Sequence, residues 1–243
     1  MRVVKADDYQ TWFIEEEGFG VLIDPWLDKK LNPESSLFLQ RERRETSSLS
    51  QKELDQVKVV IVTAPFIDHL HIPSIKKLNN RVKIITTKKV RKILIKNQIV
   101  NPITCIDDQI IEVGPFKLSF FPAGFPYSWS AFCFFLENTA GKTIFHEGHK
   151  ANFRILKRLN RKCDAVLVTL DKVKFLGIIT LSMGPKEGFR TAQLLDSKRI
   201  MATGTHPNQT QGLIKYFLSI KQDDEMKNDE LNVFTKKGDE VLL

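Results

Sequence analysis

The stretch Val59-Val60-Ile61-Val62-Thr63-Ala64-Pro65-Phe66-Ile67-Asp68-His69-Leu70-His71 decides how this chain is read. Its first five residues form a continuous, wholly β-branched run of strand length, which predicts a strand buried on both faces. A carboxylate and two imidazoles then follow within four residues. His69 and His71 alternate, so on extended backbone they would face one side and chelate a single ion. The competing reading makes Asp68 a cap that accepts backbone N–H groups at the start of a helix near Pro73.

Working outward, Thr11–Ile14 and Gly20–Ile23 read as a hairpin across Glu15-Glu16-Glu17-Gly18, closed by Asp24-Pro25-Trp26. Residues 28–50 are polar, carry the charge run Arg41-Glu42-Arg43-Arg44-Glu45, and predict a long surface excursion. Helices are expected at 51–56, from Pro73, and at 87–96, 150–160, 185–196 and 208–220. Strands are expected at 82–86, 165–168, 199–202, 231–234 and 240–242, with antiparallel strands over 103–121 and 131–146. Long strand runs mixed with helices predict helices packed on a sheet sandwich in one domain.

Composition narrows the classes. The 243 residues carry 37 Lys+Arg against 29 Asp+Glu, a net +8, with 42% hydrophobic residues. That balance excludes a disordered chain. Three widely spaced cysteines, Cys105, Cys133 and Cys163, exclude a disulfide scaffold and suit a reducing compartment. Cys133 and Cys163 read as small buried hydrophobes in strands. No apolar run approaches membrane-spanning length and the first residues lack a signal h-region, so a cytoplasmic protein is expected. Between Ile72 and Ile106 nine Lys or Arg occur without an acid. Such a face attracts anionic small molecules or nucleic acid, or is a solvated surface. Gly184-Pro185-Lys186-Glu187-Gly188 lacks the P-loop pattern and reads as a helix start.

All five histidines follow apolar runs. His69 and His71 adjoin Asp68, His146 and His149 flank Glu147, and His206 lies in Gly-Thr-His-Pro-Asn. Imidazole and carboxylate gathered at strand ends suit a borderline divalent ion: zinc first, manganese or iron as alternatives. Glu147 and His149 share the same-side spacing, whereas His146 would point the other way. Asp24 either supports a ligand histidine from behind or only starts the Pro turn.

These residues resemble the metallo-β-lactamase fold superfamily, whose signature His-x-His-x-Asp-His ends a buried strand after an Ile-Asp-Pro hairpin. Leu22-Ile23-Asp24-Pro25-Trp26-Leu27 matches the hairpin, and Val60–Thr63 followed by Asp68-His69 matches the strand and its last two ligands. Thr143–Gly148 resembles the later strand, and Ile200-Met201-Ala202 the last core strand. The first two signature histidines are replaced by Ala64 and Phe66, and no histidine stands near Pro122–Phe125. The pattern is most similar to a divergent subgroup with Asp-His-x-His in place of the full signature and Glu-x-His after the later strand, matched by Asp68–His71 and Glu147–His149.

The resemblance implies an αββα sandwich, two mixed sheets flanked by helices, and a metal-dependent hydrolase with a reduced, single-ion site. Asp68, His69, His71, Glu147, His149 and His206 are the candidate ligands, with Asp68 or Glu147 orienting water or taking its proton. An ester, a lactone or a phosphoester is the expected substrate, a small molecule that can be anionic. The alternative is an inactive chain that keeps the fold to bind a ligand or partner, which Ala64 and Phe66 favour. A third reading is a basic-faced nucleic-acid binder.

Overall fold

Val57–Val62 is the strand β4, and alternation along it lays out the whole architecture. Val59 and Ile61 point to one apolar cluster, Val60 and Val62 to another. The structure is a computed structural model describing residues 1–31, 37–43, 45–107, 110–205, 209–221 and 231–243.

In chain order the first sheet takes β1 (Arg2–Lys5), β2 (Trp12–Glu16), β3 (Phe19–Ile23), β4, β5 (Lys83–Thr86) and β6 (Ile103–Cys105). The second takes β7 (Ile111–Val113), β8 (Phe116–Pro122), β9 (Phe132–Asn138), β10 (Thr143–His146), β11 (Ala165–Thr169), β14 (Arg199–Thr203) and β16 (Asn232–Phe234). β12 (Lys172–Phe175), β13 (Ile179–Thr180) and β15 (Leu218–Lys221) form a small third sheet, and β17 (Glu240–Leu242) returns to the edge of the first. The helices are α1 (Gln51–Gln56), α2 (Ile72–Lys76), α3 (Lys88–Lys96), α4 (Phe153–Leu159) and α5 (Pro185–Leu194).

The two large sheets share one plan. The first runs β17-β1-β2-β3-β4-β5-β6 and the second β7-β8-β9-β10-β11-β14-β16. In each, the first four strands are antiparallel and the remaining pairings parallel. Their inner faces interlock through Trp12, Ile14, Ile61, Phe132, Phe134 and Leu167. Helix residues Ile75, Val90 and Leu94 cover the outer face of the first sheet, and Leu156 and Ala192, with Leu195 just past α5, that of the second. This is the expected αββα sandwich. A strand buried on both faces needs apolar residues at both parities, which is why β4, β9 and β11 read as continuous runs.

Several expectations are corrected. Within 103–121, β6 is not antiparallel: it pairs in parallel with β5, in the other sheet from β7 and β8. The helix expected at 208–220 is, over its described residues, a 3₁₀ turn at Leu213–Phe217 followed by β15. Leu213 and Ile214 donate their N–H groups to the carbonyls of Leu37 and Phe38 at 2.8 and 2.9 Å, not to a helical ladder. β1, β12 and β13 lie outside the expected strands. Cys163 is buried just before β11, not within a strand.

The 28–50 excursion is pinned, not merely solvated. Arg43 is buried, pairs with Asp7 Oδ2 at 3.0 Å, donates to the Trp26 carbonyl and lies 4.2 Å over the Trp26 ring. Arg41 is also buried, stacks 3.9 Å from the Tyr9 ring and donates to the Thr205 carbonyl at 2.9 Å.

Candidate metal centre

The parallel strands β4, β10, β11 and β14 all end at one edge of the sandwich, where loops on a rigid scaffold gather ligands. After β4 the chain does not stay extended. His69 N and Leu70 N both return to the Phe66 carbonyl, at 3.0 and 2.7 Å, so residues 66–70 form a tight turn. This turn separates His69 from His71. His71 begins α2 with its Nδ1 2.7 Å from Ser74 Oγ, whereas His69 faces the space between the sheets' ends. The same-side argument for that pair therefore fails. Asp68 does not cap α2 either: its Oδ2 accepts the Tyr9 hydroxyl at 3.0 Å and lies 3.9 Å from His69 Nε2.

His69 is held from behind. Its Nδ1 is 2.8 Å from Asp24 Oδ2, and Thr63 ties down that carboxylate with its N–H (2.8 Å) and hydroxyl (2.6 Å). Asp24 sits at φ 44, a left-handed conformation uncommon for a residue with a side chain, and the turn aims its carboxylate at Thr63 and His69. With Nδ1–H donated to Asp24, the free lone pair is on Nε2, which is buried without a partner. Burial alone would lower the His69 pKa; Asp24 and Asp68 outweigh it and raise it, so the pocket attracts positive charge at that nitrogen. Burial would raise the Asp68 pKa, but His69, His149 and the Tyr9 hydroxyl bring it below the usual range.

His149 comes from the second sheet. Gly148 has φ +70, and a Cβ there would stand 1.8 Å from the Phe132 carbonyl, so only glycine lets the chain turn at this point. That turn also breaks the expected alternation of Glu147 with His149. The His149 ring stacks on Tyr127 at 3.9 Å and lies 4.9 Å from the His69 ring, and burial pushes its pKa down to about 4. Asp68, His69 and His149 each offer one donor atom, all within 4.8 Å of one another. A carboxylate and two imidazoles, one with a buried orphan nitrogen and an oriented tautomer, fit a divalent ion.

Glu147 lies beside this group. Its Oε1 accepts the Thr169 N–H at 2.7 Å, while Oε2 is buried without a partner, and burial raises its pKa to about 8. His146 accepts the Gly148 N–H on Nδ1 at 2.9 Å and stacks on Phe134. His206 lies outside the described residues. Phe66, in place of a signature histidine, sets its ring edge against His69, His149 and Tyr127.

The group opens into a cavity of about 610 Å³. Tyr9, a residue the sequence did not single out, lines it and holds Asp68. Its signal was an acid-rich turn before β2, which says nothing about a partner 59 residues away. The basic stretch of α2, β5 and α3 lies elsewhere, and among the described residues no Lys or Arg lines the cavity.

The family model described as "Beta-lactamase superfamily domain" matches residues 5–204, and the chain belongs to that superfamily. Among solved structures it is similar to the isothiocyanate hydrolase from Delia radicum gut bacteria, at 18% identity and TM-score 0.75, covering 100% of this chain and 99% of that one. A possible metal-dependent hydrolase from Veillonella parvula aligns at 17% and 0.74 over 100% and 99%. Igni18, a metallo hydrolase from Ignicoccus hospitalis, aligns at 12% and 0.66 over 99% and 97%. At these identities the likeness establishes the metallo-β-lactamase fold. No curated protein sequence matches the chain. No described helix is long and apolar enough to cross a membrane.

Proposed function

We propose that this chain is a metal-dependent hydrolase with a single-ion centre held by Asp68, His69 and His149. The observation that carries the reading is the convergence of their three donor atoms within 4.8 Å, with His69 Nε2 left buried and unpartnered. Zinc suits this donor set, with manganese or iron as alternatives. Bound there, such an ion supplies Lewis acidity, polarising a substrate oxygen and making water a stronger acid. The fold neighbours named as hydrolases support the same class, and a small-molecule ester or lactone suits a cavity of this size.

The protein's own groups divide the remaining work. Asp24 holds the His69 ring so that Nε2 faces the cavity. Tyr9 orients the Asp68 carboxylate. Glu147, fixed at Oε1 by the Thr169 N–H, presents Oε2 as the group that takes the proton released by attacking water and returns it to the leaving group.

The test compares zinc-loaded and chelator-stripped protein on p-nitrophenyl esters and lactones. The proposal expects turnover that vanishes on stripping, returns with zinc, and falls about 10²–10⁴-fold in Glu147→Gln while metal content is unchanged. A loaded protein that binds these compounds but turns none over favours instead a non-catalytic binding protein, the reading to which Phe66, packed among the site rings, lends weight.

A further inference from the structure

We infer that the cavity takes an uncharged molecule with a hydrocarbon chain: a neutral ester or lactone whose carbonyl meets the Asp68–His69–His149 end while its chain lies between three apolar walls. The inference rests on the hydrolase reading for the carbonyl and on the wall residues for the chain. Phe38 and Leu39 form one wall, Ile214 and Leu218 a second, Val173 and Leu181 a third.

None of these residues belongs to the strands that build the sandwich. Phe38 and Leu39 come from the pinned excursion, and the other four from the 3₁₀ turn, β15, β12 and the residue after β13. Backbone bonds sew the pieces together. Gln40 and Gln211 exchange N–H···O bonds at 3.0 and 2.7 Å, and Leu213 and Ile214 bond to the Leu37 and Phe38 carbonyls. β12 and β15 pair with Val173 opposite Ile220. Three separate segments thus enclose apolar space over the donor group. Ile214 and Leu218 also lie beyond residue 204, where the superfamily match ends.

Charge argues the same way. The chain carries 37 Lys and Arg, yet among the described residues none lines this cavity, and the ionisable groups that do are Asp68, Glu147, Tyr9, Tyr127, His69, His146 and His149. Away from the donor end, a phosphate or carboxylate carried on the substrate finds no lysine or arginine to pair with, and burying its charge against the apolar walls costs desolvation. A neutral chain meets no such penalty, and each buried methylene adds about 0.8 kcal/mol, about fourfold in affinity.

The experiment measures kcat/KM of the zinc-loaded protein for p-nitrophenyl acetate, butyrate, hexanoate and octanoate, and for p-nitrophenyl phosphate. In parallel, octanol, hexanol and octyl phosphate displace a neutral solvatochromic dye from the protein as purified. Expected are a rise of about threefold or more per methylene in both series, octanol bound at least tenfold more tightly than octyl phosphate, and a flattened slope in Ile214→Glu and Leu39→Lys. Ile178→Glu, at an exposed position outside the cavity, keeps the wild-type slope. A flat series, or octyl phosphate bound as tightly as octanol, overturns the inference even if esters are hydrolysed. Chain-dependent binding without hydrolysis of any ester sustains the ligand class and overturns the hydrolase reading instead.

Discussion

At the scale of single residues, the proposed centre depends on which nitrogen of His69 is free. Asp24 makes that choice by accepting the Nδ1–H hydrogen bond, and Thr63 fixes Asp24 with two hydrogen bonds. Asp24→Asn keeps the shape but offers an amide that need not select this tautomer. It is expected to weaken zinc binding about 10–100-fold, the usual cost of losing the partner behind a ligand histidine. Competition titration with a chromophoric chelator checks this, and unchanged affinity would show that the Asp24 contact is only structural. That Asp68 and His69 lie at the sandwich edge was legible, because they sit in the loop after a buried strand. The pairing with His149 was legible only in part. The chain leaves extended geometry at Phe66 and again at Gly148, so the two-residue alternation that grouped His69 with His71 and Glu147 with His149 no longer applies.

At the scale of elements, the strands read well because both parities of β4, β9 and β11 face apolar layers. The cavity walls did not. The excursion, the 3₁₀ turn and the β12–β15 sheet are held by contacts between segments far apart in sequence, and local patterning contains no information on such pairings. Arg41 and Arg43 were hidden in a charge run that looked solvated, because stacking on Tyr9 and Trp26 and pairing with Asp7 are long-range facts. The wall geometry also predicts its own weak point. Gly212 sits at φ +88, where a Cβ would stand 2.7 Å from the Phe38 carbonyl. Gly212→Ala is expected to loosen the seam locally, lowering amide-exchange protection at Gln211, Leu213 and Ile214 while leaving β4 and β11 protected. Equal loss of protection in the two large sheets would mean that the wall is integral to the sandwich.

At the scale of the molecule, the two sheets are tied at the site end by a buried lysine. Lys5, on β1 of the first sheet, donates its Nζ to the Ala202 carbonyl of β14 in the second at 2.8 Å, and to the Tyr9 carbonyl at 2.9 Å. Burial lowers its pKa to about 8 from 10.5, against the pull of Asp7 and Asp8. Between those values the unfolded chain holds a proton that the folded chain has released, so the contribution of Lys5 to stability rises with pH across the window and is least below about 8. Lys5→Met removes that dependence. Urea unfolding at about pH 7.5 and 9.5 is expected to show the wild type gaining on the variant by up to about 2 kcal/mol at the higher pH. No difference in slope would mean that the Lys5 ammonium is not appreciably desolvated in the folded chain.

The most direct measurement of the central claim is metal content after zinc loading and exhaustive dialysis, made on the wild type and on His69→Ala, His149→Ala and His71→Ala. A centre of Asp68, His69 and His149 predicts about one zinc per chain in the wild type and in His71→Ala, and close to none in the other two. A wild type that retains no zinc, manganese or iron, or a His149→Ala protein that still holds a full equivalent, would contradict it.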